Sequence, residues 1–166
     1  MPAAEARYAA GVGTKWGEGP TRLALGSTKI AWHRANVDAW IAAATLTPTW
    51  VLVNVGVNDT NDPATPQASY EADLAYVLDA LHTAWPSAKV LVTKPWGRGR
   101  DAACDAMAGW IDNVLATRGP WAAAGDDERV WMKGADDGAT MTNDGIHPNT
   151  AGNAEKVNQV LTAMGY

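Results

Sequence analysis

Residues 50–55 read Trp-Val-Leu-Val-Asn-Val, and the run then breaks at Gly56 into Val57-Asn58-Asp59. A short, nearly continuous apolar stretch of this kind reads as a strand buried on both faces, as in the parallel sheets of α/β proteins. In such sheets the loops at the carboxyl ends of the strands carry the chemistry. The polar turn after Gly56 is therefore the first place to look for function.

The rest of the chain alternates in the same way. Residues 22–25 read as a strand, and residues 29–44 as a helix with Ile30, Val37, Trp40 and Ile41 at helical spacing, closed by Thr47-Pro48. A turn-rich loop over 61–67 leads to a helix with Ser69 as its cap and Leu74, Val77, Leu78 and Leu81 on its buried face, ending near Trp85-Pro86. Residues 89–93 form the next strand and residues 94–100 the loop at its carboxyl end. A helix follows over 101–117, then a short strand over 129–132, and a closing helix over 150–164 capped by Asn149 or Thr150. Helices between strands indicate βαβ units, so the expected fold is a three-layer α/β/α sandwich with a mostly parallel, flavodoxin-like sheet.

The second informative segment is Asn143-Asp144-Gly145-Ile146-His147-Pro148-Asn149. An Asp three residues before a His, in a turn, can aim a carboxylate at one imidazole nitrogen and leave the other for proton transfer. A His held this way is the general base that activates a hydroxyl at neutral pH. Thr142 and Asn143, immediately before it, are placed to hold the turn. Taken singly, Asp-x-x-His and Gly-x-Asn-Asp are ordinary turns. Together, in this order on alternating strands and helices, they are specific.

With both motifs in hand, the chain resembles the SGNH (GDSL-like) hydrolase family over about residues 20–160. Gly56-Val57-Asn58-Asp59 matches its Gly-x-Asn-Asp block and Asp144-Gly145-Ile146-His147 its Asp-x-x-His block. Gly26, in Leu-Ala-Leu-Gly-Ser-Thr, matches the glycine block between nucleophile and Asn. The resemblance implies His147 as base, Asp144 as its orienting group, and the Gly26 N–H and Asn58 amide as oxyanion donors. Asp59 is expected to shape its turn by accepting backbone hydrogen bonds. Gly lets a backbone N–H approach closely, and Asn is a neutral donor to developing negative charge.

The family's Gly-Asp-Ser block is not among the 166 residues, whose serines are Ser27, Ser69 and Ser87. Ser69 and Ser87 fall away from the carboxyl ends of the strands. Two readings stay open. In one, Gly26-Ser27 is the second block, Met1 falls just after the strand that carries the nucleophile, and this single domain lacks the first strand and nucleophile turn. In the other, Gly26-Ser27-Thr28 is a shortened nucleophile turn and Ser27 attacks. The first strand is central in the family, and its loss would leave inner edges unpaired, which favours Ser27. The register of the motifs favours the first reading.

Composition narrows the partners. A net charge of -5 gives no electrostatic footprint for nucleic acid. No apolar run approaches the ~20 residues that cross a bilayer, and Met1 is not followed by a basic segment and an apolar core of a secretory signal. The compartment and the oligomeric state are left open. The three histidines show no ligand spacing and Cys104 has no cysteine partner, so neither metal nor cofactor is expected. His33 and His82 read as surface or packing residues. Nine tryptophans and no Phe mostly fall in apolar patterns, Trp40, Trp50, Trp110 and Trp131 among them. Trp96, in the 94–100 loop, is expected to line the substrate site, with Arg98 and Arg100 as solvated charges or carboxylate ligands. The implied activity is that of a serine esterase on a short-chain acyl ester, with an acetylated carbohydrate as one candidate and thioesters or lysophospholipids as others. The alternative is a binding or scaffolding module of the same fold without a nucleophile.

Overall fold

The computed structural model describes residues 27–166 apart from Leu46 and Asp62. Helix α1 (Ile30–Ala43) leads to strand β1 (Trp50–Val53), a 3-10 turn (Val57–Thr60), and helix α2 (Gln67–Ala84). Strand β2 (Lys89–Lys94), helix α3 (Asp101–Leu115), strand β3 (Ala122–Asp127), a one-turn helix α4 (Glu128–Trp131) and helix α5 (Thr150–Ala163) complete it. The three strands lie in the order β1-β2-β3 and pair in parallel. This is the α/β architecture that the alternation of patterns predicts. The expected strand over residues 22–25 lies outside the described residues.

Side-chain alternation along β2 sorts the layers. Val90 and Val92 enter a core with Ile30 and Val37 of α1, Leu74, Val77, Leu78 and Leu81 of α2, and Met107 and Ile111 of α3. The buried face expected of α2 is the one observed. Thr93 points the other way and bonds Asp126 of β3, beside Lys156 of α5. Helix α5 therefore covers the face opposite α1, α2 and α3, which makes three layers.

Two sequence expectations need correction. Residues 129–132 are not a strand: Glu128–Trp131 is helical, and the third strand is Ala122–Asp127, Ala-Ala-Ala-Gly-Asp-Asp. That segment has none of the β-branched or aromatic residues that mark strands. At Gly125 smallness is required, since a Cβ there would lie 2.9 Å from Leu91 Cβ of the neighbouring strand. Asp127 then caps α4, accepting the Arg129 N–H at 3.1 Å. Ser69 is not a cap either, because α2 begins at Gln67 with Pro66 at its N-cap position. Asn149 does cap α5, accepting the Gly152 N–H at 3.0 Å.

Candidate active site

The chain leaves β1 and turns at Gly56, whose φ of +117° suits glycine. Its backbone is pressed onto the core, since a Cβ there would meet Met107 Sδ at 2.7 Å and both Pro95 and the Tyr70 hydroxyl at 3.0 Å. Asn58 follows in the 3-10 turn, half-buried, and its side-chain amide donates to the Thr28 carbonyl at 3.2 Å. Asp59 is fully buried. It accepts the Ile30 N–H and the Thr65 hydroxyl, so it works in the turn as expected, and burial pushes its carboxyl above the ordinary range. Gly-x-Asn-Asp thus fastens the end of β1 to the start of α1.

At the other turn, Asp144 Oδ2 sits 2.7 Å from His147 Nδ1, and Oδ1 accepts the backbone N–H groups of Ile146 and His147 at 2.9 and 2.8 Å. The His147 N–H, its ring and the Ile146 N–H hold the Asp144 carboxyl well below the usual carboxylate range. The carboxylate therefore selects the tautomer with the proton on Nδ1 and leaves Nε2 for proton transfer. His147 is exposed. Below it, the buried Thr142 hydroxyl donates to Gly138 O at 2.7 Å and accepts the Gly145 N–H at 2.8 Å. The Asn143 N–H closes the turn onto His147 O at 2.9 Å.

The loop after β2 joins the two turns. Arg100 Nη1 donates to Val57 O at 3.1 Å, and the Arg98 N–H donates to Gly145 O at 2.8 Å. Between them, a Cβ on Gly97 would stand 3.3 Å from Val57 Cγ2 and 3.7 Å from Ile146 Cγ1. The neighbours of Asn58 and of His147 therefore pack against one glycine. Sequence expectation omits Gly97 and gives Arg100 as a solvated charge or a carboxylate ligand, not as a clasp between the turns; a Gly-Arg-Gly-Arg run at a strand's carboxyl end was the available signal.

Other expectations fall differently. Gly26 lies outside the described residues. Ser27 is exposed, with φ of 63°, one residue from the carbonyl that Asn58 holds. Ser69 and Ser87 are exposed, one within α2 and the other in the turn before β2. Trp96 does not line a substrate surface: it is 1% exposed and packs with Trp131, Met132 and Met141. Its indole donates to Asp101 at 2.8 Å. The segment over 132–142 folds down onto this loop, where a Cβ on Gly138 would touch the Trp96 ring at 2.6 Å. Arg98 is also spent internally, on the Asp137 carbonyl at 2.9 Å. His33 is half-buried beside the Thr28 hydroxyl at 3.2 Å, and burial lowers its pKa. His82 stacks on Trp121 with ring centroids 4.1 Å apart. Cys104 is buried in α3, which pushes its thiol up. Among the described residues no acidic, His or Cys cluster could hold a metal ion, and no helix is long and apolar enough to cross a membrane. A groove of about 470 Å³ between α1 and α2 is lined by residues such as Ile41, Tyr76 and Ala80, and shares none with either turn.

The sequence matches the GDSL-like Lipase/Acylhydrolase family over residues 3–155. No curated protein matches it. Among solved structures, a carbohydrate esterase family 3 protein from Talaromyces cellulolyticus is 20% identical with a TM-score of 0.64; the match covers 84% of this chain and 65% of that one. An acetyl esterase mutant crystallised with acetate ion is 18% identical at a TM-score of 0.73, covering 97% of this chain and 86% of the other. A catalytic mutant of Axe2, an acetylxylan esterase from Geobacillus stearothermophilus, is 16% identical at a TM-score of 0.69, covering 99% and 81%. At these identities the likeness is one of fold.

Proposed function

The chain belongs to the GDSL-like lipase/acylhydrolase family, and on that premise we propose that it serves a serine-type hydrolysis of short-chain acyl esters, with acetylated carbohydrates as the substrate class. The observation that carries the reading is the Asp144–His147 pair, 2.7 Å apart and stitched through one loop to the turn that bears Asn58.

In this reaction His147 Nε2 takes the proton of a serine hydroxyl as the hydroxyl oxygen attacks the acyl carbon. The imidazolium that forms is stabilised by Asp144. The carbonyl oxygen becomes an oxyanion, for which Asn58 Nδ2 and the Gly26 N–H are the donors; loss of one such donor typically costs ~2.7–4 kcal/mol of barrier. Asn58 now donates to Thr28 O, so its amide already points toward the residues that follow Gly26. Collapse expels the alcohol, which takes the proton back from His147. Water repeats the sequence on the acyl-enzyme. The acetyl esterase and acetylxylan esterase of the same fold support the choice of a small acyl group.

The attacking serine is either Ser27 or one that is not among the 166 residues. Fluorophosphonate labelling followed by peptide mass analysis separates them, with hydrolysis of p-nitrophenyl acetate as the companion assay. Adduct on Ser27, lost in His147→Ala, assigns the nucleophile to this chain. Adduct only on a longer version of the chain, again dependent on His147, assigns it upstream. No adduct and no turnover in either form would overturn the hydrolase reading and leave a binding module of the same fold.

A further inference from the structure

On the α5 side of the sheet lies a cluster that the mechanism does not use. Asp126 and Glu128, at and just beyond the end of β3, are 4% and 6% exposed. A single ammonium, that of Lys156 on α5, serves both: it bonds Glu128 Oε1 and lies 3.7 Å from Asp126 Oδ2. Asp126 Oδ1 accepts the Thr93 hydroxyl at 2.6 Å, and Glu128 Oε2 accepts the Trp96 N–H at 3.1 Å. Burial pushes the Glu128 carboxyl up, against the pull of Lys156. Two buried carboxylates on one cation are a poor way to gain stability, because the desolvation cost of each ion rivals its Coulombic return. Their connections point to another use.

We propose that Glu128 and Lys156 are the positioning pair of the Asp144–His147 turn, gripping both backbone segments between which that turn is held. On one side Glu128 fixes Trp96, and two residues on the Arg98 N–H holds Gly145 O at 2.8 Å, next to Asp144. On the other side Lys156 ties α5 to the same carboxylate. Helix α5 starts three residues after His147, at Thr150, and its N-cap Asn149 donates its N–H to Met141 O at 3.0 Å and its Nδ2 to Thr140 O at 2.8 Å. The turn itself is narrow, closed by the Thr142–Pro148 bridge. His147 is exposed and has little packing of its own. Asp144 aims its ring, and the backbone that carries both is anchored on one side through the Trp96–Arg98 loop and on the other through α5, the two segments that Glu128 joins.

Its role in catalysis rests on His147 being the base, but the positioning itself does not, and the test reads the two separately. In Glu128→Gln the single amide oxygen cannot serve both the Trp96 N–H and the ammonium. Backbone amide hydrogen exchange in the full chain is expected to accelerate roughly tenfold or more at Arg98, Gly145 and His147, while Val90 in β2 stays within about twofold, a local opening and not a global one. Lys156→Met is expected to give the same pattern and Lys156→Arg to suppress it. On an acyl ester, Glu128→Gln is expected to lower kcat about tenfold with KM within about twofold, the mark of a misaligned base. Unchanged exchange at the three amides, or acceleration shared equally with Val90, would overturn the proposal. If the wild type turns over no ester while the exchange pattern appears, the positioning pair stands and the hydrolase reading fails.

Discussion

Both carboxylate oxygens of Asp59 lie on the Ile30 N–H, at 3.2 and 3.1 Å, so the last residue of the Gly-x-Asn-Asp turn holds the first residue of helix α1. Lys29, at the N-cap position, makes no capping bond with its side chain and donates its ammonium to Pro63 O at 2.6 Å instead. A carboxylate at a helix amino end satisfies an orphan N–H and meets the positive end of the dipole. Asp59→Ala leaves the buried Ile30 N–H and the Thr65 hydroxyl without their acceptor. It is expected to cost about 1–3 kcal/mol, read as a lowered urea midpoint at unchanged m-value.

Asp144 gives a pH signature. Its folded-state pKa is depressed, chiefly by the His147 N–H and ring and then by the Ile146 N–H, so its contribution to stability is present above the unfolded value and lost as pH falls through the folded one. Relative to Asp144→Asn, the wild type is expected to keep a constant stability advantage above about pH 5 and to lose it progressively below about pH 4. Urea midpoints of the two proteins across that range check the sign. At neutral pH the same variant is expected to lower kcat by roughly 10²–10⁴, since an Asn amide no longer favours the correct tautomer.

Gly56 has no room for a methyl group. With φ at +117° and Met107 Sδ 2.7 Å from the would-be Cβ, Gly56→Ala combines backbone strain of about 1–3 kcal/mol with overpacking of similar size. The melting temperature is expected to fall by roughly 5 °C or more. Because the turn carries Asn58, residual activity should drop further than the unfolded fraction accounts for.

Trp96 separates core from pocket. As a buried ring it should affect stability, so Trp96→Ala is expected to cost about 3–5 kcal/mol. Trp96→Phe, which keeps most of the packing but not the bond to Asp101, is expected to cost less and to leave KM for acyl esters within twofold. A large KM change in a stable Trp96→Phe protein would restore the lining role.

The chemistry that sequence made legible is the chemistry that is local. Asp144 reaches His147 across three residues, and a turn with Gly145 at φ of 89° is enough to bring them together. The strands over Trp50–Val53 and Lys89–Lys94, and the buried face of α2, were readable because short apolar runs and period-3.6 patterns report what faces a core. The third strand escaped because Ala-Ala-Ala-Gly-Asp-Asp has no strand preference of its own, and its Gly125 answers to the closeness of Leu91, a residue some thirty positions away.

Local pattern specifies the strands over Trp50–Val53 and Lys89–Lys94 with the helices around them, the Asp-x-x-His turn and the polar break after β1, since each follows from neighbours along the chain. Tertiary structure alone decided that Trp96 lies beneath Gly138, that Arg98 and Arg100 join the two turns, and that Asn58 faces Thr28. Those contacts join residues roughly thirty to fifty positions apart. A side chain's local pattern records how much of it must be buried, but not which distant backbone group will be there to receive it.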